Sequence, residues 1–149
     1  MKNILFVLVG LIFLSFLSCR SSDDEITNPL VGKWVAQKYN YSYIYQGEAV
    51  SEDEFPTVCQ QRSTVEFRAD NKGTETYYDE NENGVCGLID QSEFSYSYNA
   101  SAGTISVSYP DGTSESLKVE SLVGNQMVLS SQFTEDGILV TVKLYMSKI

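Results

Sequence analysis

The sequence predicts an all-β domain over residues 28–149, an eight-stranded antiparallel up-and-down barrel. In this span apolar and aromatic residues alternate with polar ones in eight short runs, which is the period-two pattern of half-buried strands. Turn signals containing Gly, Asn, Asp or Pro separate the runs, and no amphipathic run is long enough for a substantial helix. We expect a barrel because closure removes exposed strand edges. An avidin-like barrel is the second choice and a sandwich the third.

Residues 1–18 are predicted to be a signal peptide that lies outside this domain. Lys2 precedes an apolar run over residues 4–16, and a wholly polar stretch, residues 20–25, follows shortly after it. A bilayer-spanning helix needs about 20 apolar residues, so this run is too short to cross a membrane. Its length and flanks are those of an export signal.

The end of the apolar run, Leu17-Ser18-Cys19, resembles the lipobox of bacterial lipoproteins. The resemblance implies that Cys19 becomes the mature N-terminus and carries acyl chains such as palmitate, which give durable membrane attachment. The alternative is ordinary cleavage nearby that leaves Cys19 as a free thiol. Residues 19–27 would then form a tether, whose run of Asp23, Asp24 and Glu25 resembles the serine-plus-acidic signals that send some Gram-negative lipoproteins to the outer face of the outer membrane. The alternative location is the periplasmic face.

The mature chain would be strongly acidic, with nine basic and twenty acidic residues after the loss of Lys2. Phosphates and anionic headgroups repel such a chain. We therefore expect no nucleic-acid partner, and we expect membrane contact to come from the lipid alone. The acidity favours solubility and cation binding.

The first strand is predicted over residues 34–45, after the turn signal Asn28-Pro29. Gly32 stands two positions before Trp34, the only tryptophan, whose large side chain is suited to closing one end of a small barrel. The parity of Trp34 is opposite to that of the tyrosines which follow it, and this predicts a bulge between them. Those tyrosines share one strand face: Tyr39, Tyr41, Tyr43 and Tyr45.

Residues 47–58 show no alternation, and they predict the longest exposed loop of the domain, a candidate lid. Seven further strands follow, each bounded by a turn signal. They are centred on residues 63–69, 74–78, 91–99, 105–109, 117–119, 127–133 and 138–146.

The opening Gly-x-Trp of an all-β chain resembles the start of lipocalins, and residues 28–149 resemble the short lipocalin-like domains of bacterial lipoproteins. The features that carry the resemblance are Gly32, Trp34, Cys59, the strand 63–69 with its Asp-x-x-Gly turn, Cys86 and the aromatic-basic end 145–148. It implies a barrel wide enough for one small ligand. It also implies a basic residue packed over Trp34, for which Lys143 and Lys148 are the candidates in the last strand. The alternative is that both lysines are solvated.

Lipidation of Cys19 leaves Cys59 and Cys86 as a pair, which should form a disulfide in an oxidising compartment. The bridge would close about 28 residues and stabilise the fold by roughly 3–4 kcal/mol. We expect it at one end of the barrel, joining the 47–58 loop to an acidic hairpin. Redox catalysis or a metal site is the alternative, but the chain lacks a CxxC spacing and has no histidine.

The absence of histidine removes the usual general base and the Ser-His-Asp and Cys-His arrangements. No spacing singles out a pair of carboxylates, and we therefore expect no enzyme activity. We expect no cofactor either, with calcium as the one exception. Oxygen-bearing side chains stand at positions 1, 3, 5 and 12 of a partial EF-hand pattern: Asp79, Asn81, Asn83 and Asp90. The alternative is a polar hairpin tip that turns at Asn83-Gly84.

The leading functional hypothesis is a lipid-anchored, surface-displayed and monomeric binding protein that holds a small apolar or amphipathic ligand. The ligand-contact candidates are the alternating tyrosines Tyr39, Tyr41, Tyr43, Tyr96 and Tyr98. These could instead fill the barrel as cross-strand pairs. The rival hypothesis is a filled barrel that acts as a protein-interaction subunit or inhibitor in the cell envelope.

Overall fold

The computed structural model describes residues 28–149, so the predicted signal peptide and tether lie outside the described residues. Within them the chain forms antiparallel strands and one 3-10 helix, Gln60–Arg62. The strands are β1 Gly32–Tyr45, β2 Glu48–Glu54, β3 Thr64–Phe67, β4 Lys72–Glu80, β5 Cys86–Asn99, β6 Thr104–Ser108, β7 Ser114–Val123, β8 Gln126–Glu135 and β9 Ile138–Lys148. No helix in residues 28–149 has the length and apolar character to cross a membrane.

Eight of these strands close into the predicted up-and-down barrel. The order is β1-β3-β4-β5-β6-β7-β8-β9, and β9 pairs back with β1. Every pairing is antiparallel, and each hairpin connects neighbours in sequence. Closure gives each of the eight ring strands a partner on both sides, which is the physical reason for preferring a barrel to an open sheet.

The strand β2 corrects the sequence prediction of a long loop over residues 47–58. It pairs with the outer half of β1, from Tyr39 opposite Glu54 to Tyr45 opposite Glu48. A two-residue turn at Gln46-Gly47, both with positive φ, joins the two strands in the manner of a tight hairpin. Most residues of β2 are exposed on both faces of the strand. Neither face needs apolar side chains, so the sequence of β2 is rich in acids and lacks the apolar–polar alternation by which a strand is recognised. Periodicity could not reveal it for that reason.

The predicted bulge in β1 is confirmed. The pairing of β1 with β9 shifts register between Ala36 and Lys38, so Gln37 is the extra residue. The bulge changes the parity of the strand. Trp34 and Tyr39 therefore both face the inside of the barrel.

The packed core fills one end of the barrel, which we call the base. Its apolar side chains come from the inward-facing, alternating positions of the strands, and Leu30 joins them from the turn before β1. The buried members are Leu30, Trp34, Phe67, Phe94, Tyr96, Ile105, Val107, Met127, Leu129 and Met146. The ring of Phe67 lies edge-on to those of Phe94 and Tyr96, with centroids 5.6 Å and 4.9 Å away.

The strand directions place the chain's turns at two opposite ends. Asn28 and the β3–β4 turn lie at the base, where the Asn28 side-chain amide donates to the Tyr96 hydroxyl and the Tyr96 amide donates to the Asn71 carbonyl. The β1–β2, β4–β5, β6–β7 and β8–β9 turns lie at the other end, which we call the mouth. The mouth is the end at which a ligand could enter.

Candidate functional site

The base is sealed by Trp34 and Lys148. The Trp34 indole is fully buried and donates a hydrogen bond to the Leu30 carbonyl at 2.8 Å. The Lys148 ammonium lies 4.8 Å from the centre of the indole and donates to the carbonyls of Pro29 and Val31, each at 2.9 Å. The cation–π contact implied by the lipocalin resemblance is therefore present, and Lys148 rather than Lys143 makes it.

Gly32 allows this close approach. Its φ is +138°, and a Cβ built there would lie 3.1 Å from the Lys148 side chain. Both the backbone conformation and the lack of space favour glycine. The Gly-x-Trp pattern is thus explained by the packing of the last strand against the first.

Above the core lies a cavity of about 190 Å³, which we call the calyx. Its walls are mostly apolar and come from β3 to β9. The lining residues are Val65, Phe67, Glu75, Phe94, Val107, Tyr109, Glu115, Leu117, Leu129, Leu144 and Met146. A second cavity of about 80 Å³ lies between Trp34 and Tyr39 and shares four of these residues with the calyx. Together they remain below about 300 Å³, the lower end of ligand-pocket volumes, so the enclosed space suits only a small molecule.

The polar end of the calyx consists of Glu75, Tyr109 and Glu115. The Tyr109 hydroxyl lies 2.9 Å from Glu115 Oε1 and 3.3 Å from Glu75 Oε2. A phenol has one proton, so Tyr109 can donate to only one carboxylate at a time. One acid is therefore always left without this donor.

The electrostatic surroundings of Glu75 and Tyr109 are unfavourable to a negative charge on either group. Burial, and next the negative charge of Glu115, raise the pKa of Glu75. Burial, and next the hydrogen bond to Glu115, raise the pKa of Tyr109. No lysine or arginine lines the calyx, and none of the ion pairs found in residues 28–149 includes Glu75 or Glu115. Within the described residues, neither carboxylate therefore has a basic partner.

A wider groove lies at the mouth, with a volume of about 430 Å³. β1, β2, β8 and β9 extend past the calyx there and line the groove with Tyr41, Tyr43 and Tyr45 on one side and Phe133 and Val140 on another. The Tyr43 hydroxyl lies 3.3 Å from Glu52 Oε1 on β2. The mouth groove is open and aromatic, and it also carries acidic groups.

The five tyrosines predicted as ligand contacts separate into two groups. Tyr39 lines the small inner cavity, and Tyr41 and Tyr43 line the mouth groove. Tyr96 instead lies in the packed base, where its hydroxyl donates to the Arg68 carbonyl at 2.8 Å, and Tyr98 packs against the same core. Their inward parity was predicted correctly, but parity gives no height along the barrel, and both lie below the cavities.

Sequence reasoning missed Glu75 and Glu115 as site residues. A detectable signal existed for Glu115, because it has the same parity as Leu117 and Val119, which marks an acid on the inner face of β7. For Glu75 the signal was weaker, since the neighbouring inward position is Gly73, whose place is taken by the Phe94 ring. An acid at an inward position of a barrel strand is the feature to look for.

The Cys59–Cys86 disulfide is present, with the Cα atoms 5.5 Å apart. It ties the segment between β2 and β3 to the start of β5, at the mouth end beside the β4–β5 turn. Arg62 covers the bridge: its Nη1 lies 3.5 Å from Cys86 Sγ, and its guanidinium stacks over the Tyr78 ring at 4.4 Å. The predicted connection between the irregular segment and the acidic hairpin is confirmed.

The acidic hairpin tip is closed by its own side chains. Asn81 Oδ1 accepts from the amides of Asn83 and Val85, both at 3.0 Å. Asp79 accepts from the Tyr77 hydroxyl at 2.9 Å, and Asp90 accepts from the Ser92 hydroxyl at 2.7 Å. Across residues 28–149 no group of three or more Cys, Asp or Glu side chains is placed to hold a metal ion. Calcium binding at this tip stays a prediction, and the hairpin with Gly84 at positive φ is what the structure shows.

Together the sealed base, the closed eight-strand ring and the open mouth define a lipocalin-type barrel. The sequence profile of the lipocalin-like domain family matches residues 30–129, and the chain belongs to this family. No curated protein matches the chain.

Solved structures with a similar fold include three mammalian proteins. The bovine lipocalin allergen Bos d 2 is 12% identical, with 83% of this chain and 75% of that chain covered at a TM-score of 0.46. A deswapped triple mutant of bovine odorant binding protein is 13% identical, with 81% and 74% covered at 0.42. A dog lipocalin allergen is 12% identical, with 79% and 72% covered at 0.42.

Proposed function

We propose that this lipocalin-like domain binds a small, largely apolar molecule in its calyx and is held on the cell envelope by a lipid on Cys19. The observation that carries the binding proposal is the calyx itself, an apolar-walled space of about 190 Å³ above a sealed base. Its volume equals roughly six water molecules at their share of liquid volume. A ligand larger than this extends into the mouth groove.

Membership of the lipocalin-like family supports a binding role over an enzymatic one. The polar groups of the calyx are two acids and a phenol without a histidine nearby, because the chain has none. Such a set can orient a ligand by hydrogen bonds, which is how predominantly apolar pockets obtain specificity.

A blocked calyx tests the binding proposal. Leu117→Trp should fill the cavity from β7, whereas Ser116→Trp places the same side chain on the outer face of that strand. We expect 2-phenylethanol, measured by isothermal titration calorimetry, to bind the unchanged protein and the Ser116 variant alike. The Leu117 variant should bind at least tenfold more weakly. Equal binding by both variants would place the ligand outside the calyx.

The rival function, a protein-interaction subunit, is favoured by one observation. The mouth exposes large apolar side chains on β1, β8 and β9, including Ile44, Phe133 and Leu139. Crosslinking on intact cells from a photoreactive residue at position 139, with one at position 116 as control, tests this role. A discrete crosslinked partner at position 139 alone would support it.

The envelope location rests on the lipobox-like and acidic sequence before the domain. We propose attachment to the outer membrane with display on the cell surface, and the periplasmic face is the alternative. Treatment of intact cells with external protease separates the two, because only a surface-displayed domain is digested while a periplasmic marker protein survives.

A further inference from the structure

We infer that the calyx takes a small organic cation, an aryl- or alkylammonium whose charged group lies between Glu75 and Glu115 and whose apolar body lies on the calyx walls. This inference rests on the proposed function, since it names the ligand class of the same cavity.

The first argument is geometric. Both carboxylates lie within hydrogen-bond distance of one hydroxyl, that of Tyr109, so they stand no more than two hydrogen-bond lengths apart. They come from strands on different sides of the cavity, β4 and β7. An ammonium placed between them can donate to both acids and still has a third donor for the phenol oxygen.

The second argument is the missing positive charge. The basic side chains that form ion pairs or cation–π contacts do so outside the calyx. Lys148 contacts Trp34 at the base, and Lys38 lies over the Tyr145 ring. The whole chain has a formal net charge of −10, which adds to the negative potential around the cavity. Two carboxylates that share one hydroxyl partner repel one another, and an opposite charge between them relieves that repulsion.

The third argument concerns the rest of the ligand. Below the acids the walls are aliphatic and aromatic, formed by Phe94, Leu129 and Met146 among others. A neutral ligand could use these walls and donate a hydrogen bond to one acid, but it would leave the negative charge of both carboxylates without an opposite charge. An anionic ligand would add a third negative charge. A cation with an apolar body is the class that satisfies both parts of the cavity.

The experiment compares three probes of nearly equal size on the purified full chain: 2-phenylethylammonium, 2-phenylethanol and phenylacetate. At pH 7 and low salt we expect the ammonium to bind at least tenfold more tightly than the alcohol, and phenylacetate to give no measurable heat. Glu75→Gln and Glu115→Gln should each weaken ammonium binding about tenfold and change alcohol binding less than twofold.

Glu93→Gln is the matched control, because Glu93 is exposed and has the opposite parity to Phe94 on β5. It removes the same charge from the molecule without touching the calyx. An equal loss of ammonium affinity in this variant would mean that bulk charge, and not the acid pair, holds the cation. Thermal unfolding of each variant is measured first, to show that the variant is folded. Glu75→Gln and Glu115→Gln carry the same prediction, so if one of them fails to fold, the other still tests the inference.

The outcomes separate the two proposals. If the alcohol binds as tightly as the ammonium, the cation inference is wrong while the binding function stands. The same holds if only the alcohol binds. If no probe binds at millimolar concentration, the inference is overturned, and the proposed function with it for ligands of this size.

Discussion

Glu75 shows how a single inward acid affects the stability of the fold. Its pKa is raised from the ordinary value of 4.5, first by burial and then by the charge of Glu115, with Asp90 adding to the effect and the Tyr109 hydroxyl opposing it. A raised pKa means that the ionised form is less stable in the folded protein than in the unfolded chain. The contribution of Glu75 to the free energy of unfolding is therefore fully present at pH values below the ordinary pKa. It is lost as the pH rises through the raised pKa of the folded protein.

Glu75→Gln should therefore raise the melting temperature at pH 7.5, where it removes one of two neighbouring negative charges, whose ionisation the fold disfavours. At pH 3.5 the carboxyl is largely protonated in both states, and the difference from the unchanged protein should shrink. Thermal unfolding followed by circular dichroism at the two pH values measures this. The exposed Glu93→Gln should show neither effect, and a lower melting temperature for Glu75→Gln at pH 7.5 would contradict the argument.

Lys148 is the second residue whose role can be measured. Lys148→Ala removes the contact with Trp34, worth about 0.5–2 kcal/mol, and the hydrogen bonds to the carbonyls of Pro29 and Val31. We expect a loss of about 1–3 kcal/mol in the free energy of unfolding, measured by urea denaturation. Lys143→Ala on the same strand should cost about 0.5 kcal/mol or less. Equal losses would mean that the base is not held by this contact.

At the level of elements, the disulfide joins two parts that the barrel ladder does not hold together directly. The segment between β2 and β3 has few backbone hydrogen bonds of its own beyond the 3-10 turn at Gln60–Arg62. The bond restrains this segment against β5, and it closes a ring with a sequence separation of 27. We therefore expect the disulfide to restrain the mouth of the barrel more than the base.

Reduction should lower the stability by roughly 3–4 kcal/mol on the loop-entropy estimate and leave the strands formed. Far-UV circular dichroism and thermal unfolding with and without a phosphine reductant measure this. A Cys59→Ser/Cys86→Ser variant is the control, since the reductant should not change its melting temperature. Loss of the β signal at 25 °C after reduction would mean that the bond holds the whole barrel.

The strands that could be predicted from the sequence are those with one buried face and one exposed face. β5, β6, β8 and β9 alternate because one face meets the core and the other meets solvent. β2 was missed because both of its faces are largely exposed, and only pairing with β1 and the Gln46-Gly47 turn define it. Pairing is a long-range property that a local pattern does not contain.

The site was predictable in part for a related reason. Alternation places a side chain inside or outside, and it correctly put Tyr39 and Tyr96 inside. It does not give the height of a residue in the barrel, which depends on strand register and on the bulges in β1, β5 and β7. For this reason Tyr96 was a candidate for ligand contact as well as for barrel filling, and it lies in the packed base, while the Glu75–Glu115 pair was not recognised.

On the scale of the whole molecule, the proposed anchor can be tested without affecting the barrel. Cys19→Ala should abolish lipidation and release a folded domain from the membrane fraction, because only the acyl chains would hold it there. Ser21→Ala is the matched control and should remain with the membrane. Fractionation with immunoblotting measures this, and a Cys19 variant that stays in the membrane fraction would show that another part of the chain binds the envelope.

The position of Asn28 decides which way the barrel would stand on such an anchor. This residue is held at the base by its hydrogen bond to the Tyr96 hydroxyl, so the chain that leads to Cys19 leaves the domain at the base, on the side of Trp34. Nine residues, 19–27, reach at most about 30 Å when fully extended. The base of the barrel would then face the membrane, and the mouth would face away from it. Molecules would be exchanged with the aqueous side, and lipids of the supporting bilayer would have no direct route into the calyx.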